Sequence, residues 1–426
     1  MSQVAATLGD TVEEIIAELA QRARSASHSV AELGGAQKDA WLLRAAERLE
    51  ESRGEILRAN RADLREAESA GLSAPMLRRL QLEGKWCDML DGLRQVAALP
   101  DPVGEIGELR VRPNGLRVGR MRIPLGVVAM IYESRPNVTV DAAALCVKAG
   151  NAVVLRGGSE SLRSNLALGE VLRAAAEDCG VPADAIGLVP TADRSAVDCL
   201  LKQSRNIDLL IPRGGPGLVR KVRAESEIPV IAHDAGVCHI FVDASAEAEL
   251  AAAIVRDSKI CQMAVCNGVE TILFHEAAAQ TALPHVLSVL HKEGVEIRGC
   301  PRTRALFPQA KPAAEADWSE EYLAEIVAVR VLPNLDAAVS HVQQYGSDHT
   351  DIIITANYES AQAWLRRVNS STVGVNCSTA FADGHRLGLG AEIGISNTKL
   401  HCFGPMGLEG LTTRKFVLYG DGQLRE

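Results

Sequence analysis

From position 126 to 231 the chain switches repeatedly between short, unbroken apolar runs and longer segments in which apolar residues recur every three or four positions. The runs 126–132, 152–155, 186–189, 207–211 and 229–231 read as strands, and 139–149, 161–179, 195–203 and 216–226 as helices. Strands without a polar face, separated by amphipathic helices, predict a parallel sheet covered on both sides.

The flanks carry different periods. Over 11–71, Leu42, Leu43, Ala46 and Leu49, then Ile56, Leu57 and Leu64, fall at helical spacing among Arg and Glu, which predicts helices covering another layer. Between 100 and 124 the period drops to two, and strands 108–112 and 115–123 meet at Pro113-Asn-Gly115, a hairpin signal. Its Leu109, Val111, Leu116 and Val118 alternate with arginines, so one face is sticky, and a subunit contact is the expected use. A second α/β segment starts near 247, with helix 248–256, a loop around Cys266, strand 269–274, helix 277–293 and strands near Ile326 and Ile352. Glycine-rich 384–410 and a strand over 415–419 close the chain.

The 426 residues exceed one ordinary core, and 47% hydrophobic with 23% charged residues describes a soluble globular protein of two or three domains. A net charge of −9 argues against nucleic acid as a partner. Asp10, Glu13, Glu14 and Glu18 stand where a secretory signal would be basic and then apolar, and no apolar run reaches the roughly 18–20 residues of a membrane span. The expectation is a cytoplasmic protein with no membrane partner. The 10 cysteines show no CxxC pairing or metal-ligand spacing, so neither a metal nor a disulfide framework is expected.

Among those cysteines Cys266 stands out. Apolar Met263, Ala264 and Val265 lead into it and turn-prone Asn267-Gly268 follows, a bend that presents a thiol; Cys261 lacks such flanks. Arg156-Gly-Gly-Ser-Glu160 follows a strand, where ligands bind in open α/β sheets. There Gly157 and Gly158 allow close approach, Arg156 forks onto a phosphate, and Ser159 and Glu160 complete the loop, Glu160 accepting from a ribose hydroxyl. Pro212-Arg-Gly-Gly-Pro-Gly217, with Gly214 and Gly215, opens a helix whose N–H groups suit a pyrophosphate, although no GxGxxG occurs. His233, Asp234, His239 and His349 are acid/base candidates that composition does not rank.

Taken in order, Arg120-Met-Arg-Ile-Pro-Leu-Gly126, Ile131-Tyr-Glu-Ser-Arg-Pro-Asn-Val138, Leu155-Arg-Gly-Gly-Ser-Glu160, Ile211-Pro-Arg-Gly-Gly215, Tyr345-Gly-Ser-Asp-His-Thr-Asp351, Gly388-Leu-Gly-Ala-Glu-Ile-Gly-Ile-Ser396 and Gly404-Pro-Met-Gly-Leu-Glu-Gly-Leu-Thr-Thr413 carry a resemblance over nearly the whole length. The chain resembles the gamma-glutamyl phosphate reductases, a branch of the aldehyde dehydrogenase superfamily. The resemblance implies an α/β, aldehyde dehydrogenase-like fold of two parallel-sheet domains plus a small β-hairpin oligomerisation element. Residues 1–103 and 124–246 would bind NADP, 247–400 would be catalytic, and 104–123 with 401–426 would form the oligomerisation hairpin and final strand.

It also implies a reaction, NADPH-dependent reduction of L-glutamyl 5-phosphate to L-glutamate 5-semialdehyde, with a homo-oligomer and an upstream glutamate 5-kinase as partners. Cys266 falls on the family's nucleophile, Arg156 to Glu160 on the stretch contacting the adenosine ribose and its phosphate, and Glu321 on the glutamate that holds the nicotinamide ribose. Arg135, Lys259, His349 and Arg386 are the implied cations for the anionic substrate, with Asn137 or a backbone N–H as oxyanion donor. The 235–239 stretch lacks the general-base glutamate of hydrolytic relatives. Two departures bear on the substrate: the family's usual Asn-Ala-Lys-x-Gln-Arg-Pro run before the nucleophile reads Asp257-Ser-Lys-Ile-Cys-Gln-Met263, without its arginine, and Ala380 stands where the family commonly has arginine. The alternatives are a reductase of another acyl phosphate or acyl thioester, and a non-catalytic homologue.

Overall fold

The computed structural model describes residues 11–233, 235–260 and 265–425. They form two compact units, one of residues up to Ala232 with Leu389–Gly394 and Met406–Glu426, the other of His233–Gly388 with Ile395–Pro405.

In the first unit four parallel strands lie in the order Ile186–Leu188, Ala152–Gly157, Val127–Tyr132, Leu209–Arg213. All six residues of Val127–Tyr132 are buried, which is what an unbroken apolar run at the centre of such a sheet requires. From that strand the chain builds outward to one side and then crosses to Leu209 on the other, so the carboxyl ends of Val127–Tyr132 and Leu209–Arg213 flank a topological switch point. The expected strand at 229–231 is reduced to one parallel bridge, Leu210 to Val230.

Helix Val12–Ala31 begins at Thr11, whose hydroxyl accepts from Glu14 N while the Glu14 carboxylate accepts from Thr11 N, a complete capping box. Helix Gly35–Glu51 packs on helix Leu162–Asp178, and Trp41 Nε1 donates to Leu172 O at 3.3 Å. Its buried stripe runs through Lys38, Trp41, Leu42, Ala45, Ala46 and Leu49, which leaves Leu43, expected inside, 47% exposed. Lys38 can join that stripe because its ammonium donates to Asp101 at 2.8 Å.

Strands Ile106–Val111 and Arg117–Pro124 form the expected hairpin, turning at Gly115 (φ 85°), and Thr412–Tyr419 adds to its second strand, making a three-stranded antiparallel sheet. Val111, Phe416 and Leu418 are exposed on it.

The second unit is built on seven parallel strands among the described residues, in the order Lys311–Pro312, Glu296–Gly299, Ile326–Leu332, Val269–His275, Cys238–Val242, Thr350–Ile354, Thr372–Val375. Ile240, Ile272, Phe274, Val329 and Ile352 face one core, while Phe241, Leu273, Ile353 and Trp364 face the other. Cys238–Val242 is hydrogen-bonded between Val269–His275 and Thr350–Ile354, so the boundary expected at 246/247 lies at 232/233. The helix expected over 277–293 is two, Glu276–Ala279 and Leu283–Lys292, with Pro284 in the first turn of the second, where its missing N–H costs nothing.

Candidate active site

Cys266 lies in the second unit, in the turn that enters Val269–His275, and is half-buried. Four hydrogen bonds fix that turn. The Cys238 thiol donates to Cys266 O at 3.3 Å, Asn267 Nδ2 donates to the carbonyls of Ala380 and Ala382 at 3.4 and 3.2 Å, and Gly268 N donates to Val265 O at 3.2 Å. The sulfur is therefore held on a built support. Gly236 packs so closely behind it that a Cβ there would overlap the Cys266 carbonyl and stand 2.8 Å from Glu321 Oε1. The lead-in residues Cys261, Met263 and Ala264, and Asp234, lie outside the described residues.

Around this turn stand His349 and His233, whose rings meet edge to face at 5.1 Å. His349 is fully buried, its Nδ1 2.8 Å from Thr350 Oγ1 and 3.5 Å from Cys238 Sγ. Burial, followed by the neighbouring His233, lowers its pKa to about 3. It is neutral near pH 7, which corrects the expectation of a cationic substrate ligand. His239 is also fully buried, with Nδ1 2.8 Å from Asp351 Oδ1, a bond that ties adjacent strands together.

Lys259 is corrected too. Its side chain is buried and its ammonium lies 2.7 Å from Glu270 Oε2, so it does not present a free cation. Desolvation raises the Glu270 pKa to about 7 and lowers that of Lys259, each opposed by attraction to the other. Glu270 Oε1 also accepts from Leu323 N at 3.2 Å, which anchors the segment carrying Glu321. Glu321 is half-buried, accepts from Gly236 N–H, and has its pKa raised by burial. Arg386 is exposed, with its backbone N–H bonded to Asp383 at 3.1 Å.

In the first unit the glycine loops follow the carboxyl ends of Ala152–Gly157 and Leu209–Arg213. Arg156 is buried, its Nη2 3.5 Å from the carbonyls of Ala192 and Asp193, and its Nε has no partner among the described residues. A Cβ at Gly157 would overlap the Asn165 amide. Gly158 is buried and Ser159 exposed. Glu160 accepts from Ser134 N and Oγ at 2.6 and 2.8 Å, holding Ser134 at a φ of 48°. Glu133 Oε2 accepts from Gly215 N at 2.9 Å and would lie 2.6 Å from a Cβ on Gly214. Arg135 and Asn137 are half-buried at the start of helix Asn137–Lys148, and Asn137 Nδ2 donates to Asp141 at 3.0 Å.

Sequence reasoning missed Cys238, Gly236 and Glu133. For the first two the signal was present in Gly236-Val-Cys238, a glycine beside a strand entry. Nothing in the sequence pairs Glu133 with Gly215.

A parallel sheet with glycine loops at the carboxyl ends of its strands, and a second parallel unit that carries a thiol in a braced turn, define the class as an α/β oxidoreductase fold. The chain belongs to the aldehyde dehydrogenase family, whose model matches residues 1–296. It is 53% identical over 417 residues to a gamma-glutamyl phosphate reductase of Geotalea daltonii, covering 98% of this chain and 100% of the relative. The crystal structure of gamma-glutamyl phosphate reductase from Thermotoga maritima superposes with a TM-score of 0.94 at 40% identity, over 96% of this chain and 100% of that one. An acetylating aldehyde dehydrogenase from Geobacillus thermoglucosidasius, at 16% identity and a TM-score of 0.66 over 97% of this chain and 98% of its own, shares the fold.

Proposed function

We propose that this protein reduces L-glutamyl 5-phosphate to L-glutamate 5-semialdehyde and phosphate with NADPH, the second step of proline synthesis from glutamate, through a thioester on Cys266. The observation that carries the proposal is the thiol held in a turn braced by Cys238 and Asn267, in a chain 53% identical to a gamma-glutamyl phosphate reductase over its full length. The Cys266 thiolate attacks the acyl carbon, the C–O bond to phosphate breaks, and phosphate leaves with its electron pair. Bound NADPH supplies the hydride for the thioester carbonyl. Cys266 then departs as thiolate while the C–S bond of the thiohemiacetal breaks to give the aldehyde. Phosphate leaves without activated water, which agrees with the absence of a carboxylate over 235–239.

The first unit fits a nicotinamide dinucleotide. The orphaned Arg156 Nε and the side-chain-free Gly157 at the end of Ala152–Gly157, and the start of helix Pro216–Glu225 after Leu209–Arg213, stand at the carboxyl ends of parallel strands, where a phosphate-bearing ligand finds donors and room. Arg156 beside a ribose favours a 2′-phosphate, whereas Glu160, bonded to Ser134, is not free to favour the unphosphorylated form. For the substrate anion, Arg135 and Arg386 remain the candidate cations. Homo-oligomer formation is supported by the apolar residues exposed on the three-stranded sheet; replacing Val111 and Leu418 with lysine should lower the sedimentation coefficient.

One observation favours a different acyl substrate: Ala380 is buried with its carbonyl bonded to Asn267, at a position where the family commonly has arginine. Purified protein given semialdehyde, phosphate and NADP should form NADPH, and Cys266→Ser should form none. Turnover of other aldehydes only would establish that different substrate, and NADP binding without turnover would mark a non-catalytic homologue.

A further inference from the structure

Linear spacing offers no metal-ligand pattern, yet folding brings His233, Cys266 and His349 together, with one ligand atom from each within 4.8 Å of the other two. We infer that these three side chains form a binding site for a thiophilic divalent cation of the zinc type, and that an ion bound there sequesters the Cys266 sulfur and reversibly silences the enzyme. The inhibitory half of this inference rests on the reading of Cys266 as nucleophile; the binding half does not.

The donor set is the first argument. One thiolate and two imidazoles suit Zn²⁺, and with no carboxylate among them they offer little to Mg²⁺ or Ca²⁺. The second is His349 itself. It is 0% exposed, and its Nε2 is buried with no partner among the described residues. Its Nδ1 lies 2.8 Å from Thr350 Oγ1, and the tautomer in which Nδ1 donates to that hydroxyl would leave the lone pair on Nε2, the arrangement that orients a metal-binding histidine. The third is access, since Cys266 and His233 are half-buried and both lie outside helices and strands.

Zinc bonds of roughly 2.0–2.3 Å set ligand atoms about 3.5 Å apart, so closure needs an inward movement of about 1 Å. That movement would come from Cys266 and His233, which are half-buried and lie outside helices and strands, rather than from buried His349. The fourth position is left to water. Binding is balanced as thiol plus M²⁺ giving metal-bound thiolate and one proton, with no change of oxidation state.

The test uses the full-length protein and Co²⁺ as a spectroscopic stand-in for zinc. Wild type should bind one equivalent with a thiolate-to-cobalt charge-transfer band, lost in Cys266→Ser. His233→Gln and His349→Gln should each weaken binding by at least about tenfold. Zinc, unlike magnesium, should protect Cys266 from alkylation, and a chelator should restore turnover. No charge-transfer band in wild type, or unchanged affinity in both histidine variants, overturns the site. Half-exposed His233 keeps the test decisive should His349→Gln fail to fold. An active Cys266→Ser enzyme would refute the catalytic reading alone, whereas an inactive one beside a wild type without a cobalt spectrum would refute the metal site alone.

Discussion

The Cys238 thiol points at the carbonyl oxygen of Cys266, 3.3 Å away, so the turn bearing the proposed nucleophile rests on a second sulfur at the head of the neighbouring strand. The two cysteines differ by environment. Cys238 is fully buried, and desolvation holds its pKa well above the usual thiol range, while Cys266 is half-buried in a turn.

Alkylation of the native protein at about pH 8 should therefore modify Cys266 and leave Cys238 untouched until unfolding. Peptide mapping after iodoacetamide treatment reads the difference directly, and early labelling of Cys238 would contradict the arrangement.

Gly236→Ala should damage catalysis more than stability. A methyl group there overlaps the Cys266 carbonyl, and moving the turn displaces the sulfur. Overpacking of this kind costs about 1–3 kcal/mol, whereas a 1 Å misplacement of a reacting group costs about 100-fold in rate. A kcat/KM lowered by less than tenfold, with a retained fold by circular dichroism, would remove Gly236 from the support of the site.

Breaking the Lys259–Glu270 pair should destabilise the second unit. Lys259→Met leaves the buried Glu270 carboxyl without its partner, a change that costs about 3–5 kcal/mol, while Lys259→Met combined with Glu270→Leu should recover much of the loss. Urea denaturation of wild type, single and double variants forms the cycle.

His341 should make stability depend on acid. It is buried beside Trp318 and Tyr345, with Nδ1 3.1 Å from Arg330 Nη1, and burial, then His239 and Arg330, lower its pKa to about 2 from the ordinary histidine value of 6.5. Below 6.5 the unfolded chain takes up this proton and the folded one does not. The stabilisation is complete above that pH and falls as pH drops toward 2, by at most ~1.4 kcal/mol per unit. Denaturation midpoints between pH 7 and 4 should fall less steeply in His341→Gln.

Much of the architecture is local and was legible. The unbroken run Val127–Tyr132, the Pro113-Asn-Gly115 turn and the bend after Cys266 each follow from side-chain period and turn chemistry within a few residues. The glycine loops were legible for the same reason, because a strand end followed by glycines and a helix is a continuous pattern.

Burial and strand order are not local, and they decided the rest. The repeat in helix Gly35–Glu51 did not reveal that Leu43 faces solvent while Lys38 is buried against Asp101. His349 and Lys259 read as cations from residue type alone, but one is enclosed and neutral and the other is bound to Glu270. The place of Cys238–Val242 in the middle of the second sheet set the boundary between units and put Cys238 behind Cys266. Residue type and period thus determined which elements form and where the turn carrying Cys266 falls. Only tertiary packing, by removing water and pairing strands distant in sequence, decided which charges survive and which side chains meet.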